Sequence, residues 1–313
     1  MSRRLQMLQV ARLARQALGD SAGLVAERLA NTAVASGGYA NRAGQADLYY
    51  TPFAIDSLIA LSEPSVPACG GAGGFFDPAS PHAEKTFAWL DSTFGQGSEL
   101  DFVHRACLAR VWAVRTGGND IDALRYQLAE QFLLHQAADG GFASRPAADR
   151  GSVYGSFLVV NALADLGQQL TNDSAAGIVA SLQSLQAADG GWSNEPEQPF
   201  GSTPATAAAI VLLQSMNAAI PTDAVDWLMA RLHPGGGFLA TPDAPMPDLL
   251  STAVTLHALD AAAVEWRGHR DLILDFIDSL WSAEGGFHGS WADDDLDSEY
   301  TFYGLLALGH AST

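Results

Sequence analysis

Apolar and polar positions along the chain alternate between two kinds of helical segment. Tyr49–Leu61, Phe102–Val114, Val153–Leu166, Thr206–Met216, Leu250–Leu259 and Tyr300–Leu308 are Ala, Leu, Val and aromatic almost all round, as helices buried on most sides are. Between them, Leu5–Leu29, Ala83–Phe94, Ile121–His135, Ser174–Gln186, Thr222–Leu232 and His269–Leu280 carry one apolar and one polar face. Asn172-Asp173-Ser174 and Pro221-Thr222-Asp223 supply the small polar caps and early acid that favour a helix start. No run alternates with period two, so no strand-rich region is expected.

A Gly-Gly-aromatic step punctuates the pattern at Gly37-Gly38-Tyr39, Gly140-Gly141-Phe142, Gly190-Gly191-Trp192, Gly236-Gly237-Phe238 and Gly285-Gly286-Phe287. The second glycines are 103, 50, 46 and 49 residues apart, so the longest step spans two periods and places a degenerate copy at Gly95-Gln96-Gly97. Gly73-Gly74-Phe75 falls in a Gly- and Pro-rich stretch, residues 63–80, that reads as a loop insertion. Six amphipathic and six apolar segments predict an all-α fold, an (α/α)6 barrel or toroid, occupying residues 1–313 as a single domain. In such a ring every Gly-Gly turn and every inner-helix N-terminus lies at one end, and that end is where a site is expected. The aromatics after the glycines are read first as packing residues.

Composition narrows the partners. With 48% hydrophobic and 16% charged residues, the chain buries a sizeable core. Its 16 basic against 35 acidic residues give a net charge of −19, and Lys85 is its one lysine, which argues against nucleic acid or an anionic membrane as partner. Two cysteines, Cys69 and Cys107, exclude a disulfide scaffold and a thiolate-rich zinc site. No apolar run is long enough to span a bilayer, and Arg12, Arg15 and Gln16 break up any signal-peptide core, so the chain reads as cytoplasmic.

GGYANRAGQADLYYTPFAIDSLIAL and GGFASRPAADRGSVYGSFLVVNALADLG resemble the repeats of protein prenyltransferase β subunits, and QAADGGW resembles the QW-type repeat of squalene and class II terpene cyclases. The likeness runs over nearly the whole chain and implies an α/α toroid with an aromatic-lined cavity for an isoprenoid or other apolar small molecule. The prenyltransferase branch holds zinc through Asp-x-Cys and a later His. The matching positions here are Asp248, Leu250 and Tyr300, so one ligand of three is present and zinc is not expected. Arg150 of DRGSVY stands where the family has a diphosphate-binding His, and Arg42, Arg105 and Arg145 are further basic residues in or beside the loops. Asp101, His104 and His288 lack ligand spacing.

The cyclase branch protonates an alkene or epoxide with Asp-x-Asp-Asp, whose middle Asp is the acid. WADDDLDSEYT, residues 291–301, contains Asp295-Leu296-Asp297-Ser298, which resembles that motif with its last Asp replaced by Ser. The resemblance implies Asp297 as acid, tuned by Asp295 and Ser298, with Asp293, Asp294 and Glu299 as further carboxylates. Substrate-binding positions follow as Tyr50, Arg150, Tyr154, Trp192, Asp248, Trp291, Tyr300 and Tyr303, and Tyr49 is a further candidate lining aromatic. Three other readings of the acidic run stand beside this one: a solvated loop favoured by the helix dipole, Mg²⁺ ligands, or a member of a glycosidase carboxylate pair with Asp47, Asp101 or Asp248. The non-enzymatic alternative is a zinc-less barrel that binds a lipid or a protein. A single barrel leaves room for a protein partner or a homodimer to complete the site.

Overall fold

A computed structural model describes residues 2–62, 76–95, 97, 99–115, 119–194 and 198–313. The Gly-Gly-aromatic step is a tight antiparallel turn: Ala33, Gln136, Gln186 and Leu232 each bridge to the aromatic six positions on, and Trp281 pairs with Phe287 in the same way. Turning the chain so sharply places the first glycine at positive φ each time, for example +112° at Gly37 and +83° at Gly236, where a side chain is strained. The aromatic then plunges into the core: Phe142, Trp192 and Phe238 have no exposed surface. Its backbone N–H is met by a hydroxyl from the first turns of the next apolar helix. Tyr39 donates to Thr51, Phe142 to Ser156, Trp192 to Thr206 and Phe238 to Thr252. In two turns an aspartate ties both arms, Asp139 accepting from Gly141 and Gly151, and Asp189 from Gly191 and Gly201.

The first amphipathic segment is three helices, α1 (Arg3–Ala11), α2 (Ala14–Leu18) and α3 (Ser21–Asn31), followed by apolar α4 (Tyr50–Leu61). Five amphipathic-then-apolar pairs come after it: α5 (Pro81–Phe94) with α6 (Phe102–Trp112), α7 (Asn119–Leu133) with α8 (Val153–Asp165), α9 (Asn172–Leu185) with α10 (Thr203–Ser215), α11 (Thr222–Met229) with α12 (Leu249–Ala261), and α13 (Arg270–Ser279) with α14 (Ser298–Ala311). The sequence pattern places all six pairs correctly. It misses the breaks inside Leu5–Leu29, one of them at Gly19 with φ +53°. It also starts α10 three residues late, because Ser202 and a first-turn Pro204 open that helix before its apolar run begins. Three two-residue hairpins, such as Tyr39–Ala40 with Ala46–Asp47, are too short to show as alternation. Gly73-Gly74-Phe75, Cys69 and most of the 63–80 insertion lie outside the described residues, as does Gln96 of the degenerate turn.

The described residues group into two compact units, Met1–Leu128 with Leu280–Thr313, and Ala129–Ser279. In the second, α10 packs between α8 and α12. In the first, the two ends of the chain meet: α14 packs on α1 and α4, and Arg28 of α3 pairs with Glu284 at 2.9 Å. Arg4 of α1 reaches Asp56 of α4 at 2.7 Å, so the Arg-rich N-terminal helix is an internal element of this unit. No described helix is long and apolar enough to cross a membrane.

Candidate functional site

The acidic run is built onto the start of α14. Asp297 is its N-cap, with extended backbone and Oδ1 accepting from the Tyr300 N–H at 2.8 Å, which satisfies one of the orphan donors of the first turn. The N-cap role fixes the direction of the run, and the preceding loop wraps round one cation. Arg42, from the turn after the first Gly-Gly step, donates from Nε to Asp297 Oδ2 at 2.8 Å, from Nη2 to Asp293 at 2.8 Å and from Nη1 to Asp295 at 3.3 Å. Its guanidinium carbon lies 5.7 Å from the centre of the Tyr300 ring. The three carboxylates therefore converge on a side chain of this protein, which is the arrangement that raises the Arg42 pKa, first through the bond to Asp293. Burial pushes the Asp293 carboxyl up, yet the Arg42 bond and charge together with a backbone N–H outweigh it and hold that carboxyl below its usual range.

The three residues assigned to catalysis are thus brought to one place and differ in what they can do there. Both oxygens of Asp297 are taken by N–H donors, and its side chain is 2% exposed. Asp295 is a rim group, 65% exposed. The Ser298 hydroxyl donates to the Tyr50 carbonyl at 2.9 Å and not to Asp297.

Glu299, one residue further on, has a different environment. It lies on the first turn of α14, half-buried, and the Tyr49 hydroxyl donates to its Oε1 at 2.7 Å. Burial pushes its carboxyl above the ordinary value and the charge of Asp297 adds to the rise, while the Tyr49 bond, Arg42 and Arg110 work the other way. Tyr49 is in edge-to-face contact with Tyr50, with ring centres 5.4 Å apart, and also touches Phe53. Phe53 in turn meets Phe302 and Tyr303. The hydroxyl of Tyr50 is pushed up by burial first and by Asp297 second.

Below this aromatic group lies an ion cluster that pattern reading missed. Asp56, 1% exposed, accepts from Arg4 Nε at 2.8 Å and from Arg110 Nε at 2.5 Å. Arg110 is also held between aromatic faces, 4.5 Å from the Phe53 ring centre and 4.9 Å from that of Phe302. The signal was present: Asp56 is the one charged residue in the apolar segment Tyr49–Leu61, and a charge there requires a partner.

The other assigned residues are placed as follows. Trp291 is 46% exposed, in the first unit. In the second unit Tyr154 is 41% exposed, and Arg150 is exposed and donates to the Ser184 carbonyl at 3.3 Å. Trp192 is fully buried, with its indole N–H on the Leu182 carbonyl, so it packs the turn and offers no face to a ligand. Asp248 caps α12, accepting from the Ser251 N–H and hydroxyl at 2.7 Å each. Burial pushes its carboxyl up against those bonds. Asp248→Ala is expected to cost about 1 kcal/mol, the usual loss for an N-cap, whereas Asp248→Asn keeps an acceptor and stays near wild type in urea unfolding at pH 7.

The residues present do not fit a catalytic zinc. Leu250 has no donor atom, and both oxygens of Asp248 are engaged by Ser251. Among the described residues no three His, Cys, Asp or Glu side chains meet at metal-ligand spacing. Asp101 caps α6 and bonds His104 at 2.6 Å, and His288 lies against the Asp295 carbonyl. Arg105 is spent on loop carbonyls of Gly97 and Leu100.

A family model described as the prenyltransferase alpha-alpha toroid domain matches residues 107–203, 144–222 and 205–310, which together span more than half of the chain. Among solved structures, the type II terpene cyclase MstE from Scytonema in its apo form is similar with a TM-score of 0.57 and 13% identity, over 96% of this chain and 98% of that one. A variant of MstE in complex with geranylgeranyl dihydroxybenzoate, its substrate, gives a TM-score of 0.57 and 13% identity over 96% and 97%. At that identity the likeness is one of fold. No curated protein sequence is significantly similar to the chain.

Proposed function

The chain belongs to the prenyltransferase alpha-alpha toroid family, and from that premise we propose that it binds an isoprenoid chain and starts a cyclisation by protonating a carbon–carbon double bond. The observation that carries this reading is the carboxyl group set at the N-terminus of α14, with Tyr49, Tyr50, Phe53, Phe302 and Tyr303 in mutual contact beside it. Protonating an alkene needs an acid that is neutral before the step, and half-burial beside a second carboxylate favours the neutral form. The cation that results needs aromatic faces and little water, a requirement that Tyr49, Tyr50 and Tyr303 support, since the faces of Phe53 and Phe302 are already met by Arg110. The motif resemblance puts Asp297 in the acid role with Asp295 and Ser298 beside it. Tyr50, Tyr300, Tyr303 and Trp291 are the aromatic residues of the same unit proposed to contact substrate, whereas Arg150, Tyr154 and Asp248 lie in the second unit and rest on the family resemblance alone.

A second reading has its own support. Asp297 has no oxygen free of a donor, as expected if the acidic loop only closes the first unit and the toroid binds an apolar ligand without turning it over. Incubation with geranylgeranyl dihydroxybenzoate, geranylgeranyl diphosphate and squalene, followed by mass-resolved chromatography, separates the two. The cyclase reading expects a cyclised product from at least one. Saturable binding of a probe with no product supports the second reading, and neither binding nor product overturns both.

A further inference from the structure

Resting on the cyclase reading, we infer that Glu299, and not the motif aspartate Asp297, delivers the proton, and that Tyr49 is its positioning residue. The two carboxyls lie two residues apart and have opposite partners. Asp297 gives one oxygen to the Arg42 guanidinium and the other to the Tyr300 N–H, so neither oxygen can present a proton without losing a bond. Among the described residues Glu299 is bonded through Oε1 alone, with the Tyr49 hydroxyl as its one hydrogen-bond partner, and Oε2 is left to carry a proton. The same tyrosine joins the acid to the aromatic group, since its ring packs on Tyr50 and Phe53. Charged and titratable groups that act on Glu299 are Asp297 in its own loop, Arg42 from the first turn, Tyr49 at the start of α4 and Arg110 from α6. Tyr50, Asp47 and Cys107 complete the surroundings, since Glu299 acts on Tyr50 and Glu299 and Asp47 both act on Cys107.

The step balances without a co-reactant. The Oε2–H bond of Glu299 breaks as a C–H bond forms at the less substituted alkene carbon, leaving a Glu299 carboxylate and a tertiary carbocation. After ring closure the cation loses a proton from a neighbouring carbon to water, and the carboxylate takes one back from solvent, so the net change is an isomerisation. Arg42 then has a separate role: its single positive charge offsets part of the charge of the three aspartates, and its bond to Asp297 holds the cap of α14.

Two readouts test this on the full chain. In turnover of geranylgeranyl dihydroxybenzoate, Glu299→Gln is expected to lower kcat by about a thousandfold, in the range general acids supply, with the KM unchanged within twofold. Asp297→Asn, which keeps an acceptor for the Tyr300 N–H but loses the charge pair with Arg42, lowers kcat far less than Glu299→Gln does. Tyr49→Phe lowers kcat and moves the alkaline limb of the pH profile upward, because its bond favours the carboxylate; a merely structural tyrosine would leave the limb in place. The second readout needs no activity. Infrared pH titration of the Asp248→Asn protein, which removes the other half-buried raised carboxyl, should show a protonated C=O band that persists above the usual glutamate range. That band should vanish in Glu299→Gln and survive in Asp297→Asn. A band that survives Glu299→Gln, or kcat lost in Asp297→Asn and kept in Glu299→Gln, overturns the assignment while leaving the cyclase reading intact. Absence of turnover with the band assigned to Glu299 overturns the cyclase reading and keeps the neutral carboxyl.

Discussion

Asp56→Ala is expected to destabilise the protein by about 3–5 kcal/mol, the loss seen when one partner of a buried ion pair is removed. Asp56 is 1% exposed and is shared by Arg4, itself 8% exposed, and Arg110. Without the carboxylate, Arg4 of α1 and Arg110 of α6 lose the acceptor they share, and the Arg4 side chain is only 7% exposed. Arg110 retains its aromatic partners Phe53 and Phe302, so the greater part of the penalty falls on Arg4 and on the docking of α1. Urea unfolding at pH 7 reads the loss directly as a lower midpoint. Paired replacement of Asp56, Arg4 and Arg110 by apolar residues of similar volume is expected to recover most of it, since the cost lies in the uncompensated charge.

Gly236→Ala is expected to cost about 3 kcal/mol or more through backbone geometry. Gly236 sits at φ +83°, where an alanine costs about 1–2 kcal/mol, and its added Cβ would fall on the Leu272 carbonyl oxygen and 2.8 Å from the Phe276 Cβ. Both neighbours belong to α13, so relief requires moving the turn off that helix. Gly44 offers the control, since it has φ +77° with nothing within 4 Å of an added Cβ. Gly44→Ala pays only the conformational term, and the difference between the two thermal midpoints measures the close approach.

Much of the fold was legible because its signals are local and repeated. The five Gly-Gly-aromatic steps announce turns whose glycines need positive φ, and the switch between apolar-all-round and one-faced segments separates the two helix sets without reference to tertiary structure. The break at Arg12-Leu13 was not legible, since neither residue is a strong breaker, whereas Gly19 carried the signal for the second break. The surroundings of the acidic run were only partly legible. The run at 293–299 points to the start of α14, yet the choice between Asp297 and Glu299 depends on Arg42 and Tyr49, which lie some 250 residues earlier in the chain. Neither partner can be read from the run itself. Ser298 shows the same limit: its place in the motif suggests a partner for Asp297, and its hydroxyl turns to Tyr50 instead. Trp192 shows the converse: the family resemblance made it a substrate-binding residue, while its turn position put packing first, and the structure places it fully buried.

The central claim is that a protein-bound carboxylic acid starts the reaction by adding a proton to an alkene, and turnover in D₂O tests it most directly. Geranylgeranyl dihydroxybenzoate, geranylgeranyl diphosphate and squalene would each be incubated with the protein, and any cyclised product analysed by mass spectrometry and NMR. The predicted result is a product with one non-exchangeable solvent deuterium, located on the ring methylene formed from the less substituted carbon of the protonated terminal alkene, with any diphosphate group retained. A cyclised product without that deuterium, a product formed by loss of diphosphate, or bound probe recovered unchanged would contradict it.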